Sequence, residues 1–355
     1  MSFIETIVEK ENKVLSELKK CLESGYPTYI LGNGEGADNI EKRAKDFKFN
    51  GRLVNKKFFK KADKVYCLEE VLDNTDEKIN VIVGYRGFNE TTLQNWKDKI
   101  NIIIDMDFWA GNCFVDSSLM TYSFVEKNVD KLNEVYDGVE DEYSRKVLSA
   151  YINQKISSDY KYLKKVKTTP QYFENAIISL DENETFVDCG AFDGDSAAAF
   201  IKELNIRGIK KYNKIISFEP DPSNYKKLIS RNFINHICMN KGTSDMKGEL
   251  LFSSSGTSSG ISDRGEITVE LDQLDNMINE KISYLKMDIE GAELASLKGA
   301  KNLIVKYRPK LAICIYHKKE DLWEIYSYIK SLIPQYRFYI RVYEDTATEL
   351  VLYAV

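Results

Sequence analysis

No two cysteines in this 355-residue chain are spaced as CxxC, and the six present (Cys21, Cys67, Cys113, Cys189, Cys238 and Cys314) are scattered along its length. That excludes a zinc ribbon and a disulfide framework, and leaves reduced, buried thiols in a cytosolic protein as the expectation. No apolar run approaches the ~20 residues that span a bilayer. The N-terminus carries Glu5 and Glu9 where an export signal needs bases, so a soluble, cytoplasmic protein is expected. Positive charge is not in excess either: 50 basic residues face 55 acidic ones, a formal charge of -5 that opposes the phosphate backbone of nucleic acid. Histidine is almost missing, with only His236 and His317, which makes the position of each informative.

What is present is ordinary globular material, 43% hydrophobic and long enough for two cores. Strand-like runs at Thr28 to Leu31, Val65 to Leu68, Val81 to Val83 and Ile102 to Ile104 alternate with helical stretches, which predicts a small α/β domain over 1–116. Residues 117–166 are charged, carry Gly138 as their one glycine and no proline after it, and show helical periodicity, so a helical connector is expected there. From 167 to 355 strands and helices alternate again. The strands are Thr185 to Val187, Lys214 to Phe218, His236 to Cys238, Ile282 to Met287, Lys310 to Ile315, Phe338 to Val342 and Leu350 to Tyr353. Seven strands whose last two form a hairpin predict a doubly wound sheet. The serine- and glycine-rich segment from Leu251 to Ile261 reads as a surface loop near the ligand.

The first strand of that region runs into a turn, Asp188, Cys189, Gly190, Ala191, Phe192, Asp193 and Gly194, and a helix opens at Ser196. Glycines are needed where backbone approaches a ligand closely. A dinucleotide fingerprint spaces its glycines for a pyrophosphate, whereas Gly190 and Gly194 enclose the bulky Phe192, which disfavours that ligand. A ligand with an amino-acid head fits better: its ammonium suits Asp188 and its carboxylate the amides of the turn, and S-adenosylmethionine is such a ligand. One βαβ unit on, Glu219, followed by Pro220, stands where an acid binds both ribose hydroxyls, while Asp221 reads as the N-cap of the next helix with Pro222 at its first position.

In a doubly wound sheet ligands lie at the carboxyl ends of strands, so Asp288, Glu290 and His317 should face the reacting atoms. His317 has base chemistry near neutral pH, and Asp288 and Glu290 would orient it and bind acceptor hydroxyls. The same three residues are candidate ligands for a divalent metal, which would acidify the acceptor. Lys318 and Lys319 read as a solvated basic pair, with contact to a substrate phosphate as the rarer role. His236 reads as structural. In the first domain Gly32, Gly34 and Gly36 resemble a dinucleotide turn, but the strand ending near Asn55 lacks the ribose-binding acid, and a tight turn is expected.

The runs Phe186 to Ala191, Phe218 to Asp221, Lys286 to Glu293 and Pro309 to His317, in that order, resemble the FkbM family of methyltransferases over roughly Gln171 to Val355. The most specific part is Asp288, Glu290, Gly291 and Glu293; Phe192 departs from the asparagine commoner in the family. The resemblance implies a C-terminal Rossmann-like, seven-stranded class I methyltransferase sheet, preceded here by a smaller Rossmann-like domain. It further implies that Gln171, Tyr172 and Phe173 close over the cofactor. It also implies O-methylation of a sugar, as glycan or sugar nucleotide, in bacterial surface polysaccharide pathways. For the first domain, acceptor docking and pairing of two copies are both open. A nicotinamide-dependent oxidoreductase and a non-catalytic scaffold are the competing readings of the whole chain.

Overall fold

The computed structural model describes residues 2–106, 120–253, 260–261 and 267–355, and the chain divides into two compact units. The first comprises Met1–Val129, Ser149–Val166 and Glu344–Ala347, and the second Asp130–Leu148, Lys167–Tyr343 and Thr348–Val355. The stretch 117–166 supplies the helices Tyr122–Lys127, Val129–Gly138, Glu142–Ser157 and Lys161–Lys164, and its residues are shared between the two units. Of the acidic and aromatic run from Asp105 to Trp109, residues 107–109 lie outside the described residues.

The first unit holds β1 (Thr28–Leu31), β2 (Gly51–Val54), β3 (Val65–Cys67), β4 (Ile79–Val83) and β5 (Ile100–Ile104). They form one parallel sheet in the order β3-β2-β1-β4-β5. Both faces are covered: Ile30, Ile82 and Ile104 pack with Val14 and Leu18 on one side, and Leu31, Leu53, Val81 and Val83 pack with Leu68 and Leu72 on the other. In the glycine turn after β1, Gly36 is accounted for by packing. A Cβ on Gly36 would lie 2.2 Å from the carbonyl oxygen of Gly84, just past β4, so only glycine lets the helix Glu35–Arg43 approach the sheet this closely. Asn33 in the same turn accepts from Arg52, whose other partners are Glu41 and Asp38.

The second unit holds β6 (Thr185–Cys189), β7 (Lys214–Phe218), β8 (His236–Met239), β9 (Gly242–Thr243), β10 (Gly248–Ser253), β11 (Gly260–Ile261), β12 (Ile267–Asp272), β13 (Tyr284–Met287), β14 (Lys310–Cys314), β15 (Phe338–Val342) and β16 (Leu350–Ala354). The seven expected strands form the main sheet, in the order β15-β16-β14-β13-β6-β7-β8. Five run parallel, and β16 is antiparallel to both β14 and β15. The α/β, doubly wound architecture expected from the sequence is what the chain adopts. Phe173, Phe186, Phe200 and Tyr284 fill the core on one face, with Phe186 stacked on Phe200 at 4.9 Å between ring centroids.

The segment from Leu251 to Ile261 is a correction. Its first three residues close β10, which pairs antiparallel with β12 from Gly248↔Leu271 to Phe252↔Ile267, and Gly260 and Ile261 form β11. With β9 these make a four-stranded sheet, β11-β10-β12-β9. Strands of two to six residues interrupted by serine and glycine carry too little alternation to be read from sequence. Residues 254–259 lie outside the described residues.

If close approach is what Gly36 provides, Gly36→Ala lowers the stability of the chain by about 1–3 kcal/mol. Urea unfolding monitored by circular dichroism measures this, and an unchanged midpoint would contradict the packing account.

Candidate active site

A cavity of about 360 Å³ opens in the second unit along the carboxyl ends of the parallel strands. Each strand end contributes to its wall in spatial order: Lys241 to Thr243 after β8, Glu219 and Pro220 after β7, Gly190 and Phe192 after β6, Asp288 and Glu290 after β13, and Tyr316 after β14. Because β16 runs antiparallel, it is its start, not its end, that reaches this edge, and Glu349 joins the wall there. Gln171 and Tyr172, upstream of β6, complete it.

Gly190 has φ +78°, and a Cβ there would lie 1.8 Å from the carbonyl oxygen of Asp288. The ends of β6 and β13 therefore meet with no side chain between them. Glu219 is buried, and each carboxylate oxygen accepts one backbone N–H: Oε2 from Phe192 at 2.7 Å and Oε1 from Asp221 at 2.9 Å. Each oxygen keeps a lone pair for a ligand hydroxyl. Burial pushes Glu219 up to about 7, against those two amides. Asp288 accepts at Oδ2 from the Tyr172 hydroxyl and at Oδ1 from the Tyr316 hydroxyl, both at 3.1 Å. Glu349 accepts at Oε2 from Gln171. Its carboxylate, that of Asp288 and the Cys314 sulfur lie within 4.8 Å of one another. Burial and the charge of Asp288 raise Glu349 well above the usual carboxylate range.

The wall carries Asp195, Glu219, Asp288, Glu290 and Glu349 against Lys241 and Lys286. Both lysines are paired elsewhere, Lys241 with Glu270 and Lys286 with Asp188, each at 3.0 Å. The cavity is built for a ligand that brings positive charge and hydrogen-bond donors.

Residues 188–340 match the model of the methyltransferase FkbM domain. The chain carries an FkbM methyltransferase domain. Among solved structures, methyltransferase FkbM from Methylobacillus flagellatus KT shares the fold over nearly the whole chain, with a TM-score of 0.77 and 19% identity, covering 99% of this chain and 98% of that one. An rRNA methylase from Streptococcus thermophilus aligns over 49% of this chain and 87% of its own, with 17% identity and a TM-score of 0.32. No curated protein matches the sequence.

Within the FkbM domain the residues singled out in the sequence separate into two groups. Tyr172, Gly190, Phe192, Ser196, Glu219, Pro220, Asp288 and Glu290 line the cavity. Asp188, Ala191, Asp193, Gly194 and His317 are not on its wall. Asp188 is fully buried beneath it, 3.0 Å from the Lys286 ammonium, so the sequence reading that gave this carboxylate a ligand ammonium is replaced by an internal ion pair. Asp193 bonds Arg231 at 2.6 Å, and Gly194, in the left-handed region, caps the helix Asp195–Ile206. Asp221 is the N-cap of the helix Pro222–Ser230, accepting from Ser223 and Asn224. Phe173 is in the core, whereas its neighbours Gln171 and Tyr172 reach the cavity.

His317 lies behind Asp288, its ring 4.0 Å from that of Tyr316. Its Nδ1 is 3.0 Å from Glu293 Oε1, and its Nε2 is 3.6 Å from Asp288 Oδ1 and 3.5 Å from Glu290 Oε2. Burial alone would lower its pKa, but Glu293 first, then Asp288 and Glu290, outweigh that and raise it to about 9. A protonated imidazole has no lone pair for an acceptor proton or a metal. The geometry gives His317 the part of a cation that holds three carboxylates in place. One ligand atom from each of Asp288, Glu293 and His317 lies within 4.8 Å of the other two, so the same side chains that form this ion-pair cluster also bring together a candidate metal set. Lys318 donates to the Gly291 carbonyl rather than facing the cavity.

Lys241 to Thr243, Lys286, Tyr316 and Glu349 were missed in the sequence. The strand-end rule that found Asp288 would have reached Lys241 to Thr243 and Tyr316. For Glu349 the signal was the expected hairpin, which reverses the last strand.

With two histidines in the chain, ring-proton NMR separates them. His317 should titrate near pH 9 and His236, lowered by burial beside Ser217, below 6.5. A folded pKa raised above the unfolded value of about 6.5 contributes stability below that pH, lost as pH rises through about 9. Two midpoints both near 6.5 would refute the ion-pair cluster.

Proposed function

We propose that this protein transfers the methyl group of S-adenosylmethionine to a hydroxyl oxygen of a sugar. The observation that carries this reading is the acidic cavity running from Glu219 to Asp288 and Glu349 across the strand ends of the methyltransferase domain. Its excess of carboxylates suits a ligand bearing a sulfonium and an ammonium, and the open lone pairs of Glu219 suit a ribose diol. Gly190 fits the same group, since a side chain there would take the space where the backbone turns under the ligand.

With Glu219 on the ribose, the reacting end falls at Asp288, beyond Gly190 in the order of strand ends. Bound there, the cofactor supplies an electrophilic methyl carbon and a neutral thioether leaving group. The protein's tasks are to align the acceptor oxygen and to take its proton. Asp288, held by two tyrosines, accepts from an acceptor hydroxyl and fixes its approach. The proton goes to Glu349, which replaces His317 in this role because its carboxylate faces the cavity and binds protons near neutrality. Glu290, with 46% of its side chain exposed, faces the acceptor.

Aromatic rings of Tyr172 and Tyr316 beside carboxylates suit a sugar, whose C–H faces stack and whose hydroxyls donate. The same acids disfavour a phosphate at the reacting end, so in a sugar nucleotide the diphosphate must lie away from it. O-methylation is supported by this donor-accepting lining, and a place in surface polysaccharide assembly by the family resemblance alone.

Incubation with S-adenosylmethionine and a panel of sugars, glycans and sugar nucleotides, read by mass spectrometry for the gain of one methylene, tests the reading. No methylated product across hydroxyl acceptors, with an amine or nucleic acid methylated instead, would overturn it. Glu219→Ala should weaken cofactor binding about 10- to 100-fold by calorimetry. Glu349→Gln should lower kcat about 100-fold or more with cofactor binding retained. As the base acts deprotonated, the wild-type rate should rise with pH towards neutrality and then level off, and an excess of chelator should leave it unchanged.

A further inference from the structure

Among the described residues of the cavity wall, Lys286 is the one whose charge is opposite to its surroundings and whose side chain is buried, with 2% exposed. It stands in β13 opposite Asp188 of β6, in register. Its ammonium lies 3.0 Å from Asp188 Oδ1 and donates to the Gly190 carbonyl at 2.9 Å. An ammonium has three N–H donors, and these partners take two. Burial would favour its neutral form, but the charge of Asp188 outweighs this and keeps it protonated. Asp188 cannot serve a ligand from where it sits, so its effect on the cavity passes through Lys286.

The amino-acid end of the cofactor carries a carboxylate, and an unpaired carboxylate among Asp288, Glu290 and Glu349 would be strongly disfavoured. Among the described residues the wall offers two cations. Lys241 follows β8, on the far side of Glu219 from the Gly190 turn, and belongs with the base of the nucleoside. Lys286 lies on the other side, between Gly190 and Asp288. We propose that the Lys286 ammonium is the counter-ion of the cofactor's α-carboxylate, aimed for that purpose by Asp188 and the Gly190 carbonyl. The proposal rests on the S-adenosylmethionine reading and adds to it the place where the amino-acid end is recognised. Asp188 is then a positioning residue.

Calorimetry on the full chain with three probes tests it: S-adenosylmethionine, its decarboxylated form, and 5′-methylthioadenosine, which lacks the amino-acid end. The decarboxylated form keeps the sulfonium and an ammonium, so only the carboxylate distinguishes it. In the wild type S-adenosylmethionine should bind about 10- to 100-fold more tightly than the decarboxylated form. Lys286→Met and Lys286→Gln should abolish that ratio and leave methylthioadenosine binding unchanged. Equal loss for all three probes, in variants whose circular dichroism is native, overturns the proposal in favour of a merely structural lysine. Should neither variant fold, the wild-type ratio decides: a ratio near one overturns the proposal while the cofactor reading stands. Binding of none of the three by the wild type removes the cofactor reading and the proposal together.

Discussion

The site depends on how closely the ends of β6 and β13 approach. Gly190 sits with its Cα against the Asp288 carbonyl, a distance that no other residue tolerates, and the Asp188–Lys286 pair joins the same two strands one step below. A buried ion pair contributes little net stability over well-packed apolar residues, but losing one partner strands a charge in the core. The pair stands across the two strands in register, Lys286 opposite Asp188. It holds the turn that carries Gly190 and Phe192 beside the turn that carries Asp288 and Glu290, and the cavity is the space left between them.

Strain is concentrated around that space. Tyr172, Phe192, Glu290 and Glu349 all have positive φ, and all four line the cavity. Non-glycine residues in the left-handed region cost about 1–3 kcal/mol each and persist where the surroundings over-determine them. Here the surroundings are visible. The Tyr284 hydroxyl binds the carbonyl of Tyr172, and Glu219 binds the amide of Phe192. Glu293 accepts from the amides of Ile289 and Gly291 on either side of Glu290, and the amide of Tyr343 binds the carbonyl of Glu349. The backbone is bent at these four points, and the residues at all four line the cavity.

The electrostatics follow the same division between wall and support. Carboxylates face the cavity, with His317 standing behind Asp288 and Glu290, while Lys286 reaches the wall and is held from beneath by Asp188. Burial raises both Glu349 and Glu219, and the charge of Asp288 adds to it at Glu349, so both gain affinity for whatever donor or positive charge enters. An empty acidic cavity is costly, and part of that cost is returned when a cationic ligand binds.

The sequence by itself determined the architecture: apolar period, glycine turns and strand count were enough for a doubly wound sheet of seven strands, and the runs around Gly190, Glu219 and Asp288 marked its ligand edge. Those signals are local, because strand, turn and helix start are set by neighbouring residues. The small sheet of β9 to β12 escaped notice, since its strands are short and broken by serine. What only the tertiary structure decided were the partners of each charge. Gln171 meets Glu349 across 178 positions of sequence, and Asp288 meets His317 across a turn, two helices and a strand. Whether a histidine is a base or a fixed cation, and whether an aspartate meets a ligand or a lysine, depends on which atoms stand within a few ångströms, and chain folding alone sets that distance.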